Sequence, residues 1–217
     1  MAVVNRRIVL AARPHGEPKP EHFRLEEART SAPKQGEVLL RTRWLSLDPY
    51  MRGRMSAAKS YAKPVEIGEV MVGQTVSEVV ASENPAFAEG DLVLGYSGWQ
   101  EFALSDGKGL RRLDPADGPP SQFLGVLGMP GMTAYAGLLE IGRPQPQETV
   151  VVAAAAGPVG SLVGQIARLR ARGRWHRRGR GEMRLPDRDA GLDAAIDTGP
   201  ATSPMPGPRL PEGSTCI

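Results

Sequence analysis

Three glycines in the run "AAAAGPVGSLVGQIARL", residues 153–169, carry the clearest chemistry in this 217-residue chain. Gly157, Gly160 and Gly164 follow the β-branched run Val150, Val151 and Val152 and open a segment with helical apolar spacing. That order reads as strand, tight turn and helix, and such a turn is suited to a diphosphate. Gly157 permits a bend that a Cβ would obstruct, and Gly160 lets a pyrophosphate approach the backbone. Gly164 lets the helix pack closely on the strand. The helix start then offers unpaired N–H groups and a partial positive charge. Pro158 suits the first helical turn, where its missing N–H is no loss. By spacing alone the run equally describes a helix that uses small residues for close packing.

The elements around this turn fall into two patterns. Residues 1–125 are β-rich: 36–50, 68–83 and 89–104 are Val/Leu-rich runs bounded by Gly, Pro, Asn and Asp. Their spacing suggests a small barrel or sandwich rather than βαβ units. From about residue 121 the chain becomes apolar with helical spacing, and the Val150–Val152 run has the continuous character of a buried parallel strand. Leu162, Val163, Ile166, Ala167 and Leu169 form the stripe of the helix that follows.

Composition narrows the chemistry further. The single Cys216 excludes an internal disulfide, and with three His it makes no convincing zinc set, so metal-free chemistry is expected. There is no apolar run of about 18 residues, and Asn5, Arg6, Arg7 and Pro14 interrupt the N-terminal apolar stretch. A cytoplasmic protein without a membrane partner is expected. Nine Arg between Arg168 and Arg188 could grip phosphate backbones, but only Trp175 and His176 lie among them as stacking platforms. A solvated or disordered segment is the preferred reading there, and no nucleic-acid partner is expected.

Four motifs in order carry a family resemblance: "DPYMRGRM" (48–55), "GWQEFA" (98–103), "LGMPGMTAYAGLLEIG" (127–142) and "AAAGPVGSLVGQIA" (154–167). Together they resemble the zinc-independent medium-chain dehydrogenase/reductase superfamily, in its NADP-dependent alkenal, prostaglandin and leukotriene reductase branch. The resemblance implies an α/β protein with a GroES-like β domain over 1–125. It implies the start of a Rossmann (doubly wound) NADP-binding domain over 126–197, while residues 198–217 depart from the family's pattern and read as an irregular tail. It also implies hydride delivery from NADPH to the β-carbon of an α,β-unsaturated aldehyde or ketone. Gly157, Pro158, Val159 and Gly160 would hold the pyrophosphate, and Thr133 would lie near the nicotinamide-ribose end. Tyr50 would be the catalytic residue, its hydroxyl facing a substrate carbonyl. Read without the family, Tyr50 is a strand-end aromatic capping a core, and Thr133 is a helix N-cap after Pro130 and Gly131. Met129 and Trp99 read as packing residues, and Asp48 as the organiser of the turn before Pro49.

The resemblance stops after Leu169. In "GEMR" (181–184) one codon choice, GGA GAA ATG CGN, reads Glu-Lys-Cys from its second base. The family has that element here, and its Lys meets the 2′-phosphate. Residues 170–190 and 198–217 are therefore read as out-of-frame translation, truncated relative to the family and largely irregular. "GLDAAID" (191–197) returns to the family's pattern for the next strand region. A chain so altered is expected to have impaired NADPH binding, and a family homodimer is doubtful for it. The alternatives are a catalytically inactive fragment retaining only the β domain and, less favoured, a basic nucleic-acid binder.

Overall fold

The first strand, β1 (Val3–Leu10), alternates unevenly: Asn5, Val9 and Leu10 are buried while Arg6 and Arg7 reach outward. It pairs antiparallel with β2 (Phe23–Thr30) in a continuous register from Val3↔Thr30 to Leu10↔Phe23. Outward arginines are tolerated because each finds a carboxylate: Arg6 pairs with Glu101, and Arg7 lies 3.0 Å from Glu26. The structure is a computed structural model that describes residues 3–145, 148, 150–170, 175–178, 194–196 and 215–216. It divides into two units, Met1–Leu124 and Gly125–Ile217.

In the first unit β3 (Val38–Leu45) is followed by the short helix α1 (Tyr50–Arg54). Next come β4 (Thr75–Ser82), β5 (Leu92–Gly95), β6 (Phe102–Ser105) and β7 (Arg111–Arg112). The five strands form an antiparallel sheet in the order β6-β3-β4-β5-β7. Val38, Leu40, Val79 and Val93 make one of its cores. Asn5, a buried polar residue on β1, ties the hairpin to this sheet. Its amide donates to Gln100 Oε1 at 3.0 Å, and its Oδ1 accepts from the Phe102 N–H at 2.9 Å. Both ends of the buried amide are thus satisfied. The unit is β-rich, as the strand-and-turn pattern suggested, and has the GroES-like character that the family resemblance implied.

The second unit begins with α2 (Met129–Tyr135), whose Pro130 stands in the first turn. The helix widens into a π-helical stretch, Ala136–Gly142, that ends at Arg143 with φ 44°. The strand β8 (Val150–Ala153) follows, with Val150, Val151 and Val152 all buried, as a central parallel strand requires. Then comes α3 (Pro158–Arg170). Ala134, Leu138, Val150, Val152, Ala155, Val163 and Ala167 close a core between α2, β8 and α3.

Three short strands complete the sheet: β9 (Trp175–Arg178), β10 (Ala194–Ile196) and β11 (Thr215–Cys216). All pairings are parallel, in the order β10-β9-β8-β11. Counted along the chain this is third, second, first, fourth, the order of a doubly wound nucleotide-binding sheet. Two expectations are corrected. Residues 175–178 show no strand periodicity in the sequence, yet they form a strand on β8. Thr215–Cys216, inside the stretch read as an irregular tail, occupy β8's other edge. Parallel pairing is a main-chain interaction, and an apolar strand with two unpaired edges recruits backbone regardless of side-chain alternation. The strand read at 191–197 is present as β10. The other residues of 171–193 and of 197–217, and with them the out-of-frame reading, lie outside the described residues.

Candidate functional site

The turn between β8 and α3 is built from backbone. The Gly157 N–H donates to Ala154 O at 2.9 Å and the Ser161 N–H to Gly157 O at 2.9 Å, so a hydrogen-bonded turn leads directly into the helix. Ala154 takes φ 51°, the left-handed region that favours glycine. A Cβ on Gly160 would lie 2.5 Å from Ala154 O and 2.8 Å from Ala155 Cα. No side chain fits there, so the bareness of Gly160 lets the helix start sit on the turn. Gly157 is less constrained: its Cβ would meet only Ala154 O, at 3.1 Å. Gly164 is buried within α3, in keeping with close helix packing.

What this turn can hold follows from its electrostatics. The N–H groups of Val159 and Gly160 lie in the first turn of a 13-residue helix and have no intrahelical acceptor. There is no acidic side chain in that turn to compete for them. The strand order reverses between β8 and β11, which makes the carboxyl end of β8 a topological switch point. A glycine turn, a helix N-terminus and a switch point coincide there, and residues 157–160 fit a dinucleotide's diphosphate.

Tyr50 opens α1 and is half-buried against Leu10, Met51, Met55, Val65 and Met71. The helix has five residues and needs outside support. Arg52 supplies it by donating to Pro14 O at 3.0 Å and Gly16 O at 2.9 Å, and Arg13 by donating to Met55 O at 3.1 Å and Val65 O at 3.0 Å. The Tyr50 hydroxyl is itself buried without a hydrogen-bond partner of good geometry. Burial pushes its pKa above the ordinary tyrosine range, with Asp48 and Tyr96 adding to the rise; Arg54 and the backbone at Gln74 offset part of it. The phenol therefore keeps its proton and offers an unused donor. Beside it, one Asp48 carboxylate oxygen is also buried without a partner. Asp48 serves the turn through its carbonyl, which accepts from the Met51 N–H at 3.1 Å. Trp99 stacks on Phe23 with ring centroids 5.6 Å apart, a packing role as read from the sequence.

Thr133 differs from its family-free reading. It lies inside α2, whose N-cap is Gly128, and its exposed hydroxyl donates to Met129 O at 2.7 Å. The turn N-terminal to it is built by Pro130 and Gly131, and a Cβ on Gly131 would lie 1.9 Å from Val126 O. Met129, read as packing, is 45% exposed. A groove of about 310 Å³ lies between α2 and α3, lined by Val126, Leu127, Met132, Tyr135, Leu162 and Ile166, and Thr133 is not part of its lining. Two features escaped the sequence reading. Ala154 sits in a run of four alanines with nothing to mark its positive φ, and Tyr96 is signalled only by the glycine before it and Gly98 after it. Among the described residues no three His, Cys, Asp or Glu side chains are grouped to hold a metal ion. No helix of the described residues is long and apolar enough to cross a membrane.

An antiparallel β domain, followed by a parallel sheet with a glycine turn at its switch point, defines the architecture of medium-chain dehydrogenases/reductases. Residues 6–113 match the family model for the N-terminal domain of oxidoreductase. Over 166 residues the chain is 62% identical to an NADPH-dependent curcumin reductase of Escherichia coli K12, covering 76% of this chain and 48% of the relative. It is 45% identical over 159 residues to prostaglandin reductase 1 of Oryctolagus cuniculus, covering 72% and 44%. The crystal structure of CurA from Vibrio vulnificus in complex with NADPH superposes with a TM-score of 0.84 at 52% identity. That match covers 90% of this chain and 58% of the other. The chain belongs to the zinc-independent medium-chain dehydrogenase/reductase superfamily, in its alkenal and prostaglandin reductase branch. It spans about half the length of the curated relatives it matches.

Proposed function

We propose that the chain carries the substrate-facing domain and the nucleotide turn of an NADPH-dependent reductase. Its substrate class is the α,β-unsaturated aldehydes and ketones, whose C=C bond is reduced. NADPH, when bound, supplies the hydride that reaches the β-carbon. The protein's part is to orient, to exclude water and to stabilise the oxygen on which charge develops. Gly157, Pro158, Val159 and Gly160 hold the diphosphate through backbone N–H groups, and Thr133 lies toward the nicotinamide-ribose end. Tyr50 donates its retained proton as a hydrogen bond to the substrate carbonyl, which makes the β-carbon more electrophilic.

The observation that carries this reading is the glycine turn at the reversal of a parallel sheet, in a chain akin to NADPH-dependent reductases. Its test is a fluorescence titration of the full chain with NADPH. Saturable binding, followed by oxidation of the cofactor when an enone is added, supports the reading. Absence of saturation overturns it in favour of an inactive chain that retains the β domain.

A further inference from the structure

We propose that a hollow of about 230 Å³ at the β6 edge of the five-stranded sheet binds a single-ring aromatic carboxylate. The ligand's ring lies against Tyr96 and its carboxylate points toward Lys108. The hollow shares no lining residue with the nucleotide turn or with Tyr50, so the proposal rests on neither reading.

One side of the hollow is apolar. β6 pairs with β3 in the register Leu40↔Ala103, and Leu40, Ala103, Leu104 and Leu110 form that side. Leu40 belongs to the sheet core, and Leu110 packs against the same cluster. Leu110 Cδ2 occupies the space that Gly95 leaves bare, since a Cβ on Gly95 would lie 2.5 Å from it.

Two fixed loops make the other sides. The Ser97 N–H donates to Thr75 Oγ1 at 3.3 Å and the Gly98 N–H to Gly73 O at 3.2 Å, which holds the segment that carries Tyr96. The Gly107 N–H donates to Ser105 Oγ at 3.1 Å, the Lys108 N–H to Asp106 Oδ1 at 2.9 Å and the Leu110 N–H to Gly107 O at 3.2 Å. Positive φ angles of 84° at Gly107 and 74° at Gly109 shape that turn. Tyr96 is nonetheless 71% exposed. An aromatic face already in place beside an apolar wall takes a planar partner with little loss of conformational freedom.

Charge selects the ligand's other end. The lining holds one cation, Lys108, and no carboxylate. Acceptors at the rim are engaged: Gln100 Oε1 accepts from Asn5 Nδ2 at 3.0 Å, and Ser105 Oγ from the Gly107 N–H. Lys108 Nζ pairs with Asp106 at 3.0 Å, but its side chain is 90% exposed. An exposed pair is weak, and an ammonium has three donors, so Lys108 can serve a second carboxylate. The space is smaller than the roughly 300 Å³ at which drug-sized pockets begin, which suits one ring.

The test is a ¹⁵N–¹H titration of the full chain with sodium benzoate at neutral pH, and separately with the neutral benzyl alcohol. Benzoate should shift the amides of Tyr96, Ser97, Leu104 and Lys108 together and saturate with a Kd of about 1 mM. Lys108→Gln should weaken benzoate about 2- to 5-fold, the size of an exposed ion pair, and leave benzyl alcohol unchanged. Tyr96→Ala should weaken both ligands about 2- to 10-fold, the size of one aromatic pair. Both side chains are exposed, and unchanged amide spectra away from the hollow verify that each variant is folded. The inference fails if benzoate shifts only other amides, or if it does not approach saturation by about 20 mM. It fails equally if either variant binds benzoate like the unaltered chain.

Discussion

Gly160→Ala is the perturbation that most directly loads the turn. The new Cβ would stand 2.5 Å from Ala154 O, 2.8 Å from Ala155 Cα and 3.0 Å from Ala154 C. All three are backbone atoms, so there is no flexible side chain to move aside, and the start of α3 must shift away from the turn. Overpacking of this kind costs about 1–3 kcal/mol, and the better helix propensity of Ala returns at most about 1 kcal/mol of it. The second unit should therefore lose roughly 0.5–2 kcal/mol. Nucleotide binding should suffer more. Displacing one N–H from a charged phosphate oxygen forfeits about 1.5–3 kcal/mol, or roughly 10- to 100-fold in affinity. Gly157→Ala, with its single 3.1 Å contact, should be the milder variant on both counts. Urea denaturation followed by amide exchange in α3 reads the first effect, and NADPH fluorescence titration reads the second. Equal NADPH affinity in Gly160→Ala and the unaltered chain would refute the reasoning.

Three further outcomes follow from the same geometry. Ala154→Gly should relieve a left-handed alanine with φ 51° and stabilise the second unit by about 0.5–1 kcal/mol, read as a higher urea midpoint. Glu26 and Glu101 have pKa values held below 4.5, Glu26 by hydrogen bonds from Arg24 and then Arg7, and Glu101 by Arg6. Their contribution is present above the unfolded value and is lost as pH falls through the folded one. The hairpin should thus loosen below about pH 4.5, and Glu26→Gln should flatten that loss in urea midpoints taken from pH 7 to 3. Tyr50 shifts the opposite way: its raised pKa gives stability that is complete below pH 10 and declines as pH rises beyond it. Tyr50→Phe should remove that alkaline decline and, in an enone assay, lower turnover more than cofactor affinity.

The strands at the centre of the first unit were legible because β-branched runs bounded by turn residues coincide with β3, β4 and β5. The hairpin of β1 and β2 was not, since Arg6, Arg7, Arg24 and Glu26 disguise it. Its partners are carboxylates distant in sequence, such as Glu101, and no local pattern reports them. In the second unit the Val150–Val152 run and Pro158 mark strand and helix plainly. β9 and β11 were illegible because Trp175–Arg178 and Thr215–Cys216 show no apolar alternation in the sequence, although each pairs parallel with an edge of β8. The glycine spacing picked out the turn, but which glycine is indispensable depends on the Ala154 and Ala155 backbone folding against it. Thr133 looked like an N-cap because Pro130 and Gly131 resemble a helix approach, whereas they are its first turn.

The central claim is that residues 157–160 hold the diphosphate of a nicotinamide nucleotide through their backbone. It is tested most directly by following the ¹⁵N–¹H resonances of the ¹⁵N-labelled full chain while NADPH is added. The amides of Gly157, Val159 and Gly160 should shift saturably and together, and adding inorganic pyrophosphate alone should shift the same set. NADPH that leaves those three unmoved, or shifts only resonances elsewhere, would contradict the account.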